Sequence, residues 1–383
     1  MREYLFVIII AAVMTYATTP LMRSIAVRVG AYTKVRDRDV HTIPIPRLGG
    51  VAVLVGFAAA VLAAARMPRL RQLFESDEIR GVLIGAAIIC LVGAIDDIKE
   101  LDWLAKFGGQ IIAAGVIAFH GVQFYSLPLG DQVVLPPFIL AGLTILAVLV
   151  STNAVNFIDG LDGLASGVVG IAALSFFAYA YLISQTYNPP NVFSTAAFIA
   201  AAVIGCAIGF LPHNFFPARI FMGDSGSLLF GLLLAAATIS ITGSVVGADV
   251  STNRVAAILL PLVVPLAIFL LPLIDVIWAI IRRTRAGRRP WQPDAGHLHH
   301  RMLAFGHGHR RAVMLLWGWA AAVSLGSVSF VFFEPLVAGA IFGVMLLTAA
   351  GLTIWLPRAV IGDRRPRPIP HTPGSDIRDV GRT

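Results

Sequence analysis

The chain has 383 residues, of which 57% are hydrophobic and only 13% are charged. A soluble globular protein carries about a quarter charged residues, so this composition excludes an ordinary soluble domain and indicates a protein embedded in lipid. The formal net charge of +8 comes almost entirely from arginine and, without a soluble basic domain, points to anionic membrane lipids and phosphates rather than to nucleic acid.

Apolar blocks of about 20 residues, the length that crosses a hydrocarbon core as a helix, recur along the whole chain. Charged, proline-containing and glycine-rich segments separate them. The first block is too long and too weakly basic at its start for a cleaved secretion signal, so we interpret it as a retained span. Eleven spans are predicted, near residues 4–22, 48–65, 81–95, 105–120, 136–152, 164–184, 193–211, 226–243, 254–281, 312–333 and 336–356.

The predicted fold class is an all-α polytopic integral membrane protein with about 11 transmembrane helices. Cytoplasmic loops carry an excess of Arg and Lys, which places the N-terminus outside and the C-terminus in the cytoplasm, although the basic segment 66–80 falls on the outer side. Residues 1–357 are predicted to form one transmembrane catalytic domain, and residues 358–383 a basic, proline-rich tail that stays disordered. The cytoplasmic segments are 23–47, 96–106, 212–225, 282–311 and the tail.

The third span ends in an Asp96-Asp97 pair where the helix meets the cytoplasm. Ionisable residues at membrane depth are costly and usually functional. Adjacent carboxylates can hold Mg²⁺, which prefers oxygen ligands, or one of them can act as a general base. The alternative is a solvated helix terminus without a catalytic role.

The fifth span runs into a segment in which Asn153, Asn156, Asp159 and Asp162 recur at every third position. This spacing keeps successive side chains on neighbouring parts of a helical surface, and the glycines that follow both aspartates permit turns and close approach to a ligand. A polar turn between two spans is the alternative, but such a turn does not need two amides and two carboxylates in register. We therefore predict a binding loop.

The eighth span is preceded by Gly-Asp-Ser-Gly-Ser, residues 223–227, with Arg219 just before it. The N-terminus of a helix offers backbone N–H groups to an anion, and Asp224 is free to bind a metal ion. Helix N-capping by Ser225 or Ser227 is the alternative, and both roles are compatible.

The longest cytoplasmic loop contains several arginines followed by His297, His299, His300 and Arg301. Zinc is disfavoured because no cysteine accompanies these histidines and the arginines would repel a cation. Histidines with arginines can instead bind a diphosphate and stabilise charge on a leaving phosphate, so we predict an anion site.

Three further polar residues are not part of any of these motifs. His307 and His309 are interpreted as loop residues. Asp275, inside the ninth span, either pairs with an arginine for structure or belongs to the site, and the sequence leaves both interpretations open.

Together these motifs resemble those of the polyprenyl-phosphate N-acetylhexosamine-1-phosphate transferases, in the same order and over nearly the whole predicted membrane domain. The His-Leu-His-His-Arg loop, the segment 41–50 and the number of spans are similar to the branch that uses UDP-N-acetylglucosamine (UDP-GlcNAc). The peptidoglycan branch, which uses UDP-N-acetylmuramoyl-pentapeptide, typically shows consecutive histidines followed by an aromatic residue. The motifs that carry the resemblance are Asp96-Asp97, Asn153–Gly163, Met222–Ser227 and Gly296–Arg301.

The resemblance implies transfer of GlcNAc-1-phosphate from UDP-GlcNAc to undecaprenyl or decaprenyl phosphate, with release of UMP, at the cytoplasmic face of a bacterial inner membrane. It implies Mg²⁺ as the cofactor, with Mn²⁺ as an alternative, and leaves a homodimer open. The same chemistry on another UDP-sugar, such as UDP-N-acetylmuramoyl-pentapeptide, is the nearest rival. A secondary transporter is disfavoured because the acidic residues fall at the inner ends of spans rather than at the bilayer midplane.

The resemblance also assigns roles to single residues. Asp224 would be the Mg²⁺ ligand, and Asp97 a second metal ligand and the base that deprotonates the lipid phosphate, assisted by Asp96. Asp159, the fourth catalytic candidate, would shape the site together with Asn156. Direct attack by the lipid phosphate is favoured over a covalent aspartyl intermediate.

The remaining candidates are substrate-binding residues. Asp162 is matched to the nucleotide base and the three histidines to the diphosphate. The full set is Asn153, Asn156, Asp162, Lys99, Lys106, Arg219, His297, His299, His300 and Arg301.

Overall fold

The structure is a computed structural model that describes residues 1–32, 44–124, 135–187, 193–245 and 307–355, with single positions between 278 and 287. In these ranges the chain forms ten α-helices and one short 3-10 helix, Arg71–Phe74. The α-helices are α1 Arg2–Val29, α2 Gly49–Ala64, α3 Glu78–Lys99, α4 Trp103–Phe119, α5 Pro137–Ile158, α6 Leu164–Tyr187, α7 Thr195–Asn214, α8 Gly223–Val245, α9 His309–Phe332 and α10 Pro335–Trp355.

Eight of these helices are long and apolar enough to cross a membrane, and α2 and α4 are apolar but shorter, at 16 and 17 residues. The prediction of an all-helical polytopic membrane protein is confirmed. Ten of the predicted spans correspond to described helices, whereas the ninth lies almost entirely outside the described residues, as do the tail and Asp275. The number eleven and the orientation of the termini remain predictions.

Helices α7 and α8 form the centre of the bundle. About four-fifths of the spanning part of each is buried by other helices, at 78% and 83%, whereas only 11% of α10 is buried. Both central helices are apolar on every side and rich in alanine and glycine, the pattern of a helix surrounded by other helices. The helix that begins at the Asp224 motif, α8, therefore lies at the centre of the bundle.

Helices α1 and α7 approach each other closely at two glycines of α7. A Cβ atom at Gly205 would overlap the carbonyl oxygen of Ile8, and one at Gly209 would overlap that of Ala12. Small residues four positions apart allow such close backbone approach between membrane helices.

Gly209→Val is expected to destabilise the protein by about 1–3 kcal/mol, because the new side chain must push α1 away from α7. The measurement is the midpoint of thermal denaturation of the purified protein in detergent. Gly142→Val is the matched control, since Gly142 lies on an exposed face of α5 with open space around it. Equal midpoints for the two variants would contradict the close packing of α1 and α7.

Two helices extend farther toward the polar motifs than predicted. The third span was predicted to end at residue 95, but α3 reaches Lys99; the fifth was predicted to end at 152, but α5 reaches Ile158. The helices continue past the predicted ends because polar side chains do not end a helix when they find hydrogen-bond partners within it or on neighbouring helices. The amide of Asn153, for example, donates back to the carbonyl oxygen of Leu149 at 2.8 Å.

Candidate active site

Four helices bring polar side chains to one place at the same end of the bundle. Asp96 and Asp97 lie in the last turn of α3, Lys106 in the first turn of α4, Asn156 near the end of α5, and Asp224 at the start of α8. Hydrogen bonds join all of them into one cluster. The motifs are therefore adjacent in space, although they are up to 128 positions apart in the chain.

Lys106 lies between two of the carboxylates. Its ammonium group donates to Asp96 Oδ2 at 3.2 Å and to Asp224 Oδ2. The three side chains are only partly exposed, at 21%, 15% and 20% for Lys106, Asp96 and Asp224. Their charges are thus less screened than those of surface ion pairs, yet they stay within reach of a substrate.

Asn156 fixes the other oxygen of Asp224. Its amide nitrogen donates to Asp224 Oδ1 at 2.9 Å and to Ser227 Oγ at 2.8 Å. Both oxygens of Asp224 therefore accept hydrogen bonds from side chains on other helices, and the carboxylate is held in one orientation.

Asp97 points away from Asp96, toward the first turn of α8. Its Oδ1 accepts from the backbone N–H of Asp224 at 2.8 Å, and its Oδ2 from that of Ser225 at 3.1 Å. The sequence suggested that Ser225 or Ser227 caps the start of α8. Asp97 instead accepts the hydrogen bonds from the first backbone N–H groups of this helix. Ser225 instead donates its hydroxyl to the carbonyl oxygen of Met222.

Asp159 follows the last residue of α5 and is half-buried. Desolvation raises the pKa of its carboxyl to about 7; the charges of Asp97 and Asp162 raise this pKa too, and the guanidinium of Arg47 opposes them. A group with a pKa near neutrality can take up and release a proton at physiological pH.

Asp162 is almost fully buried, at 1% exposure, in the turn between α5 and α6. Its Oδ2 accepts from the backbone N–H of Ala218 at 2.9 Å, and its own N–H donates to Nε2 of His309 at 3.1 Å. The His309 ring also stacks on Phe216, with 4.5 Å between ring centroids. Contact between Asp162 and a nucleotide base remains a prediction.

The interpretation of His309 as a loop residue was wrong, because His309 is the buried first residue of α9. Its imidazole accepts a backbone N–H that the sequence does not indicate. His307 lies outside a helix, as predicted, but its side chain is buried.

The other predicted substrate-binding residues lie in different surroundings. Asn153 is turned toward α4, where it donates to Gln110 Oε1 at 2.7 Å. Lys99 and Arg219 are exposed, at the end of α3 and just before α8. His297, His299, His300 and Arg301 lie outside the described residues, as do positions 41–43 of the segment 41–50.

The sequence interpretation missed Gln110, one helical turn after Lys106 on α4. This amide is buried, at 2% exposure, and its Oε1 accepts from Thr152 Oγ1 at 3.1 Å as well as from Asn153. It joins α4 to α5 directly beneath the site. An amide inside an apolar span is costly, and this signal could have identified it.

The residues present fit a Mg²⁺ ion that is shared with a substrate. Within the described ranges, no three His, Cys, Asp or Glu side chains converge as a complete metal site. Asp96 and Asp224 nevertheless face one cation, the Lys106 ammonium. Mg²⁺ is typically held by one or two carboxylates plus substrate phosphates and water, which matches this incomplete set of oxygen ligands.

Comparisons with known proteins place the chain among membrane phosphotransferases. The model of glycosyl transferase family 4 matches residues 79–242, which include all the clustered side chains described above. The chain is 41% identical over 359 residues to a decaprenyl-phosphate N-acetylglucosaminephosphotransferase of Mycolicibacterium smegmatis, covering 92% of this chain and 88% of that protein.

Two more distant relatives mark neighbouring branches. A probable undecaprenyl-phosphate N-acetylglucosaminyl 1-phosphate transferase of Bacillus subtilis is 31% identical and covers 94% of this chain and 89% of its own length. A phospho-N-acetylmuramoyl-pentapeptide-transferase of Desulforudis audaxviator is 29% identical, with 73% of this chain and 82% of that protein covered.

Proposed function

Because the chain belongs to glycosyl transferase family 4, we propose that it transfers GlcNAc-1-phosphate from UDP-GlcNAc to decaprenyl phosphate and releases UMP. The observation that carries the proposal is the 41% identity to a decaprenyl-phosphate enzyme over 92% of the chain. Decaprenyl phosphate is chosen over undecaprenyl phosphate, which is one isoprene unit longer, because several relatives of similar identity carry the decaprenyl name.

In this reaction a phosphate oxygen of the lipid forms a bond to the sugar-bearing phosphorus of UDP-GlcNAc. The bond between that phosphorus and the bridging oxygen of the diphosphate breaks, and the electron pair leaves with UMP. Such transfers depend mainly on positioning and on stabilisation of phosphate charge. Mg²⁺, when bound, would neutralise the diphosphate.

Asp96 and Asp224 would hold that ion together with the diphosphate, with Asn156 keeping Asp224 in place. The Lys106 ammonium, released in part from its two carboxylates, would donate to phosphate oxygens as charge develops on the leaving UMP. Asp159, with its pKa near 7, is suited to accept a proton from the lipid phosphate.

The proposed site faces the cytoplasm, where UDP-sugars are made and where the arginine-rich loops of the chain are predicted to lie. In a bacterial inner membrane this orientation puts the N-terminus outside, and with the predicted ninth span it puts the C-terminal tail in the cytoplasm. The clustered side chains then lie at headgroup depth, where a lipid phosphate can meet a water-soluble nucleotide.

Donor choice tests the proposal. Purified protein in detergent with Mg²⁺ and decaprenyl phosphate should release UMP from UDP-GlcNAc and form a lipid whose mass is that of decaprenyl diphosphate-GlcNAc. UDP-N-acetylmuramoyl-pentapeptide, the donor suggested by the 29% identical relative, should react at least about 10-fold more slowly. Faster turnover of the pentapeptide donor, or no turnover of either, would contradict the proposed function.

A further inference from the structure

We propose that Asp97 is a positioning residue that anchors the start of α8, and that Asp96 is the carboxylate of the pair that faces the reacting groups. The inference rests on the proposed function and refines it, since the family resemblance suggested Asp97 as a base or metal ligand. Three features of the described residues support these different roles for Asp96 and Asp97.

The first feature is the direction of the two side chains. Consecutive residues of an α-helix do not face the same way, so an adjacent pair at a helix end cannot present both carboxylates to one ligand equally. Asp96 faces Lys106 and also accepts the backbone N–H of Leu101 at 2.7 Å. Asp97, at 5% exposure, is enclosed between α3 and α8.

The second feature is the use of both Asp97 oxygens. The first N–H groups of a helix have no partner within it, and a carboxylate that accepts two of them is favoured by charge-assisted bonds and by the helix dipole. One of the two donors is the N–H of Asp224 itself. The Asp97 carboxylate thus fixes the backbone of the residue whose side chain contacts Lys106 and Asn156.

The third feature is a set of glycines that permits Asp97 to contact the backbone at the start of α8. Gly223 has a left-handed φ of 69°, and a Cβ atom there would lie 2.6 Å from Asp97 Oδ1. Cβ atoms at Gly93 of α3 and Gly50 of α2 would overlap the backbone of residues 225 and 226. Only glycine at these positions lets three helices approach closely enough for Asp97 to reach two N–H groups.

Asp97→Asn tests the inference, because asparagine keeps one acceptor oxygen but turns an NH₂ group toward one of the two N–H donors. The peptide covering the first turn of α8 should exchange amide hydrogen at least about 10-fold faster than in the wild type. The Kd for UDP-GlcNAc with Mg²⁺, measured without lipid phosphate, should rise by about 10-fold or more because Asp224 moves. Asp96→Asn should leave exchange in that peptide unchanged.

A residue that acts only as the base for the lipid phosphate is needed neither for donor binding nor for the order of α8. Loss of turnover in Asp97→Asn with wild-type exchange and wild-type donor affinity would therefore overturn the inference. If wild-type protein fails to transfer GlcNAc-1-phosphate, the proposed function fails, but the exchange measurement still tests the anchor.

Gly223→Ala is a second variant that keeps every ionisable group. Its methyl group would press on the Asp97 carboxylate, so exchange at the start of α8 should rise and donor affinity should fall as in Asp97→Asn. Wild-type values for Gly223→Ala would equally overturn the inference, including in the case where Asp97→Asn does not fold.

Discussion

Asp224→Asn is expected to lower kcat for UMP release by at least about 10²-fold, the usual cost of removing one preorganised electrostatic group from an active site. Asparagine has nearly the same size, but it lacks the negative charge and has a single acceptor oxygen. Either Lys106 or Asn156 must then lose its partner on this side chain. The measurement is steady-state UMP release at saturating UDP-GlcNAc and decaprenyl phosphate across a range of Mg²⁺ concentrations.

Asp77→Asn is the matched control for this charge change. Asp77 precedes α3 at the opposite end of the helix, is 64% exposed and pairs with Arg80 at 2.9 Å. This variant should turn over like the wild type, since exposed ion pairs contribute about 0–1 kcal/mol. Similar kcat values for Asp224→Asn and Asp77→Asn would remove Asp224 from the mechanism.

The sequence predicts the body of this fold well, because lipid imposes one strong rule: each crossing needs a long apolar helix whose backbone bonds are satisfied internally. The same rule identifies the site, since charged residues at membrane depth stand out. Asp96, Asn156 and Asp224 were each predicted to belong to the site from their positions at the ends of three separate spans, and hydrogen bonds through Lys106 and Asn156 join them.

The direction of each side chain could not be predicted in the same way. Whether Asp96 or Asp97 faces the ligand depends on the rotation of α3 about its axis, which is set by packing against α8 rather than by the motif. Likewise, His309 gains its role only when α9 places it against Asp162, a residue 147 positions earlier in the chain. Such long-range contacts leave no local periodic pattern in a single sequence.

Helix ends were misjudged for a related reason. A polar residue near the end of an apolar block usually indicates a boundary, but Asn153 lies within α5 because its amide bonds to Leu149 and to Gln110 on α4. Membrane helices continue through polar residues whenever neighbouring helices supply partners. The partner, Gln110, is a single amide within the predicted span 105–120, and its cost inside an apolar span was the signal that could have indicated a partner.

Lys106→Met is expected to lower kcat by at least about 10²-fold while reducing the Mg²⁺ concentration needed for half-maximal activity. Methionine keeps most of the apolar stem but removes the ammonium that lies between Asp96 and Asp224. The two carboxylates then face each other without a fixed cation, so they attract Mg²⁺ more strongly. The developing charge on the leaving UMP, however, loses a donor that Mg²⁺ does not replace. Mg²⁺ titrations of UMP release measure both effects.

Two further variants distinguish the proposed role of the Lys106 ammonium from a simple loss of structure. Lys106→Arg keeps the charge but not the compact ammonium geometry, so it should recover part of kcat and restore the wild-type Mg²⁺ requirement. Arg80→Met removes an exposed cation from the opposite end of α3, where it pairs with the surface carboxylate Asp77, and should change neither quantity. If Lys106→Met loses kcat but needs as much Mg²⁺ as the wild type, its ammonium and Mg²⁺ do not share the carboxylates. The lysine would then act on the substrate alone, and the two cations would occupy separate parts of the site.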